Sequence, residues 1–90
     1  MSVKVKICLT LRHLSHGQDI VEVNGYTVGE CLYDLVKKVP EIEKKTFERK
    51  GKLHSYVGVY VNQESFYPEE LAKPVKDVDE ITLTVVLVGG

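Results

Sequence analysis

The chain has 90 residues, 43% hydrophobic and 28% charged, which suits one domain with one modest core and leaves little room for a deep substrate cleft as well. Its 12 basic and 13 acidic side chains leave a formal net charge of −1, so there is no broad basic field to neutralise phosphates, which argues against a dedicated nucleic-acid binder. The N-terminus alternates charged and apolar residues, and no run approaches the ~20 apolar residues of a membrane span, so a soluble, cytoplasmic protein is expected.

The opening segment has a period of two. Val3, Val5, Ile7, Leu9 and Leu11 share one face, and Lys4, Lys6, Cys8, Thr10 and Arg12 the other, as in a strand with one buried side. Ser15-His16-Gly17 marks a loop over 13–18, and residues 19–23 read as a second strand, antiparallel to the first because the connection is short. Asn24-Gly25 ends it. A helix is expected over 28–38: Thr27 is its N-cap, with Glu30 at capping-box spacing. Val28, Leu32, Leu35, Val36 and Val39 form its apolar stripe, and Pro40 stops it.

Residues 41–53 are highly charged, with Ile42, Phe47 and Leu53 as anchors; a short helical turn and then a loop at Gly51 are expected. Residues 56–61 read as a strand with Val57, Val59 and Val61 on one face, followed by a turn at Asn62-Gln63-Glu64. The stretch 66–71, containing Pro68, reads as irregular. The last strand runs from Ile81 to about Val88, with Ile81, Leu83, Val85 and Leu87 alternating against Thr82, Thr84, Val86 and Val88.

Cys8 and Cys31 are far apart and form no Cys-x-x-Cys pair, so they are read as reduced, half-buried thiols. His13 and His16 have the spacing of two metal ligands, but His54 is remote and two ligands fall short of a structural zinc set. They are read as exposed loop histidines, and no metal site is assigned. Asp77, Asp79 and Glu80 are assigned to turn chemistry. The basic segment 44–52 is a solvated loop that could guide an acidic partner.

The two most apolar strands, first and last, are best buried side by side in the centre of a sheet. The long connection through the helix permits them to be parallel. The expected class is α+β: a ubiquitin-like β-grasp whose mixed four- to five-stranded sheet packs on one main helix, with residues 1–90 as a single domain. The chain closes on Gly89-Gly90, a pair that chance places at roughly half a percent of chain ends. Residues without a Cβ can thread a narrow channel and let the terminal carboxylate meet another protein's active site. Val86 and Val88 lie on the face opposite the core, and with Leu87 they are candidates for a docking patch.

The chain resembles the MoaD/ThiS family of small sulfur carriers over nearly its whole length. The likeness rests on the alternating first strand, the helix Thr27-Val28-Gly29-Glu30-Cys31-Leu32-Tyr33-Asp34-Leu35, and the segment Val57-Gly58-Val59-Tyr60-Val61-Asn62. The segment Val75-Lys76-Asp77-Val78-Asp79-Glu80-Ile81 and the terminal Gly89-Gly90 complete it. The resemblance implies that Gly90 is the site of adenylation and thiocarboxylate formation, with Gly89 threading the partner's channel. It implies no catalytic residue or cofactor on the carrier itself, since ATP is used by a ubiquitin-activating-like adenylating enzyme. The thiocarboxylate would then donate sulfur to a synthase.

Within the family the chain looks closer to the molybdopterin synthase small subunit, whose partner is that synthase's large subunit. It departs at Val78, where such subunits often have glycine, and at 84–86, where they often have Pro-Pro. Thiamine or cysteine biosynthesis, or conjugation to proteins through Gly90, are the alternatives.

Overall fold

The computed structural model describes residues 2–85. Strand β1 (Ser2–Ile7) is followed by a 3-10 helix (Leu9–Ser15), β2 (Ile20–Asn24) and helix α1 (Val28–Lys38). A 3-10 turn (Pro40–Ile42) runs into the single turn α2 (Glu43–Thr46). Next come the hairpin β3 (Phe47–Arg49) and β4 (Lys52–Leu53), then β5 (Val57–Val61) and β6 (Glu64–Ser65). A last 3-10 turn (Glu70–Ala72) precedes β7 (Glu80–Val85).

Five strands make one mixed sheet in the order β2-β1-β7-β5-β6. The first and last strands are central and parallel, with Val5 opposite Ile81 and Ile7 opposite Leu83. β2 pairs antiparallel with β1, and β5 antiparallel with β7, placing Val59 opposite Leu83. Period-two patterning fixes this register, because a slip of one residue would turn every valine to solvent. Val3, Val5, Ile7, Ile81 and Leu83 are wholly enclosed against Val28, Leu32 and Leu35 of α1. Each such side chain contributes about 1.5–3 kcal/mol of apolar burial. This is the β-grasp.

Helix α1 begins and ends where its local sequence requires. Thr27 Oγ1 accepts the Glu30 N–H at 3.1 Å, while the Glu30 carboxylate accepts from Tyr26 N–H at 2.7 Å, one residue before the cap. The helix also closes the open side of β2. Asp34 accepts the Asn24 N–H at 2.9 Å and Lys38 Nζ donates to the Glu22 carbonyl at 2.8 Å. Asp34 and Lys38 are themselves 3.4 Å apart. An edge strand's free backbone groups are a template for a stray chain, and these two side chains occupy them.

Three expectations are corrected. β1 stops at Ile7 instead of running to residue 12. Its last support on the β2 side is the Ile7 N–H donated to the Asp19 carbonyl at 2.7 Å, and beyond it the chain coils, with Leu11 N–H on the Cys8 carbonyl at 3.0 Å. Leu9 is consequently 77% exposed, whereas Leu11 is buried. The first half of the loop expected over 13–18 is the end of this 3-10 helix, which stops at Ser15 and is followed by His16 and Gly17 at φ 58 and 84. The charged stretch 41–53 holds the expected helical turn but also a two-stranded hairpin, turned at Gly51 (φ 82). Phe47 anchors the hairpin by stacking on Tyr33 at 5.3 Å.

The turn before β7 uses its acids structurally. Asp79 is buried and accepts from Lys76 N–H at 2.9 Å and Asn62 Nδ2 at 3.1 Å; these bonds hold its carboxyl below the ordinary range. Asp77 accepts the Ser2 N–H at 3.0 Å. No helix among the described residues is long and apolar enough to cross a membrane.

Candidate functional site

The residues assigned to the working end all lie outside the described ones: Gly90, Gly89, and the docking candidates Val86, Leu87 and Val88. The strand that leads to them is described. β7 is bonded along both flanks, and its last described residue, Val85, pairs with Val57 at the start of β5. On the other flank Cys8 N–H donates to the Leu83 carbonyl at 3.1 Å. The C-terminal residues thus follow a central strand of the sheet.

The sheet's outer face changes character along β7. At its start the cross-strand row is charged, Glu22 beside Lys4 beside Glu80. The next row, Lys6, Thr82 and Tyr60, carries one charge. The row nearest the C-terminus pairs Thr84 with Gly58 and carries none. Thr84 Oγ1 donates to the Gly58 carbonyl at 3.3 Å. A Cβ at Gly58 would sit 2.7 Å from Thr84 Oγ1 and 3.3 Å from Tyr60 Cε2, so the close approach itself requires glycine there. This neutral patch is half-buried and has a fixed shape. The only trace of it in the sequence was a glycine inside a valine-rich strand.

The remaining candidates fall on separate elements. His13 is exposed, His16 is 3.3 Å from Glu41, and His54 Nε2 lies 2.9 Å from the Lys44 carbonyl while its ring stacks on Tyr56. No cluster of three His, Cys, Asp or Glu side chains able to hold a metal occurs among the described residues. Both cysteines are free thiols. Cys31 is enclosed, and burial first, then Asp34 and Glu30, push its thiol up to about 11, so it stays protonated and inert. Cys8 is half-buried beside Thr84's strand.

Comparison with known proteins covers nearly the whole chain. The model of the ThiS family matches residues 5–90. The sulfur carrier protein CysO of Mycobacterium tuberculosis is 33% identical over 93 residues, covering 100% of both chains. In the crystal structure of the Amycolatopsis orientalis BexX/CysO complex, the matching chain superposes with a TM-score of 0.86 at 34% identity, covering 98% of this chain and 99% of that one. SAMP1 from Haloferax volcanii superposes with a TM-score of 0.87 at 28% identity, with 100% of each chain covered.

Proposed function

This chain belongs to the ThiS family, whose members are small carriers and not enzymes themselves, and on that premise we propose that it carries sulfur on its Gly90 carboxylate. A carboxylate oxygen of Gly90 attacks the α-phosphorus of ATP on an adenylating enzyme of the ubiquitin-activating type, and pyrophosphate leaves. A sulfide-equivalent nucleophile then attacks the acyl carbon, and AMP departs with the electrons of the broken C–O bond. The product is a thiocarboxylate. Gly89 lets the tail enter the enzyme's channel, and Val86, Leu87 and Val88 dock on the enzyme. Residues 1–90 act as one β-grasp unit in the cytoplasm.

The observation that carries this reading is the family match running to residue 90, on a chain 33% identical end to end to a named sulfur carrier. For the acceptor we favour an enzyme of cysteine formation. The whole-length likeness to CysO proteins supports that choice over molybdopterin synthase, as do Val78 and the absence of Pro-Pro at 84–86. The likeness to SAMP1 favours a second reading, a modifier joined to lysines through the same activated Gly90.

The test is adenylation. The adenylating enzyme of the source cell, given ATP and labelled pyrophosphate, should exchange label into ATP only with the full chain present. Hydroxylamine should trap Gly90 as a hydroxamate. Equal exchange with a Gly90 deletion would refute the assignment. High-mass conjugates in cells, lost with the same deletion, would favour the modifier reading.

A further inference from the structure

A groove of about 590 Å³ runs between the β3–β4 hairpin and the 67–72 segment. It adjoins the proposed site, because Val57 lines it and also pairs with Val85. Leu53, Val57, Leu71 and Ala72 give it apolar walls.

Glu70 also lines the groove and is only 7% exposed. Among the described residues its carboxylate accepts no hydrogen bond and pairs with no cation. Thr46 Oγ1 is the one wholly enclosed side-chain oxygen without a partner among those residues, so the Glu70 oxygens are not wholly enclosed, and the groove is the cavity that this residue lines. The cations nearby are engaged. Lys52 lies 3.6 Å from Glu48, His54 Nε2 is 2.9 Å from the Lys44 carbonyl, and Lys73 sits 4.4 Å over the Phe66 ring. With Glu69 on the same wall, unpaired carboxylate is in excess.

A divalent metal would need more ligands than one enclosed carboxylate, and apolar walls offer it none. An anion would meet Glu69 and Glu70. A compact positive head on a hydrocarbon stem satisfies both features, the stem lying on Leu53, Val57 and Leu71 and the head on Glu70. We propose that this groove binds a primary alkylammonium group, the side chain of a lysine presented by a partner protein. The ammonium chemistry stands on the groove alone. That the lysine belongs to a partner rests on the carrier reading, since an enzyme holding the C-terminus would lie against this wall.

The test uses the full chain and needs no partner. Amide chemical shifts are followed while n-butylammonium is added, with 1-pentanol as the uncharged match in size. The proposal expects saturable shifts confined to 53–57 and 69–72 with the ammonium and not with the alcohol, and binding weakened about tenfold or more in Glu70→Gln. Nα-acetyl-lysine methylamide should reproduce the same shifts. Equal response to the alcohol, non-saturable scatter over the surface, or undiminished binding in a folded Glu70→Gln would each overturn it. Should that variant not fold, the ammonium-against-alcohol comparison on the unaltered chain still decides. Adenylation of Gly90 plays no part in this measurement, so either idea can fail without the other.

Discussion

Val78 holds its backbone at φ 67 although its side chain is β-branched and 87% exposed. An L-residue in that region meets its own carbonyl, at a cost of about 1–2 kcal/mol. The turn imposes it. Val78 N–H donates to the Ser2 carbonyl at 3.2 Å, and the next residue, Asp79, is bound to Lys76 and Asn62. Nothing in the valine announces this conformation; the position stood out in the sequence only as one where related subunits often have glycine. Asn62, by contrast, is a residue type that tolerates φ 50, and its turn was legible from composition. Replacing Val78 by Gly should relieve the strain at a smaller cost in unfolded-chain entropy. The unfolding free energy should rise by about 1 kcal/mol. A urea titration would show this as a higher midpoint at unchanged slope; an equal or lower midpoint would contradict the strain argument.

Elements were readable to the degree that their causes are local. Helix α1 matches the expected 28–38 because an N-cap, an apolar stripe and a proline all lie within its own stretch. The end of β1 was not readable, since it depends on where β2 stops offering partners. The β3–β4 hairpin was hidden by its charges, because its one large buried anchor, Phe47, finds Tyr33 only in the folded chain. At the end of β7 the decisive contact is between elements too. Gly58→Ala would put a methyl 2.7 Å from Thr84 Oγ1, so the hydroxyl must shift at the expense of its bond to the Gly58 carbonyl. We expect a loss of about 1–3 kcal/mol, read as a lower urea midpoint, with amide shifts concentrated at Tyr60 and Thr84. Wild-type stability with unmoved amides would show that the approach is not tight.

At the scale of the whole molecule, the chain passes from a central strand of the sheet, β7, into the residues proposed as the working end. Both flanks of β7 are paired, α1 covers one face, and the outer face loses its charge toward Val85. Gly89-Gly90 after an alternating strand is a local pattern, so the sequence alone can nominate it. It did not show the neutral Thr84–Gly58–Tyr60 surface or the groove at Glu70, which are assembled from distant segments. The central claim is that Gly90 exchanges a carboxylate oxygen for sulfur. The direct measurement is the intact mass of the chain after incubation with its adenylating enzyme, ATP and a sulfur source. The mass should rise by the difference between one sulfur and one oxygen atom in the full chain and stay fixed in the Gly90 deletion. The same gain in the deletion, or none in the full chain while adenylation proceeds, would contradict it.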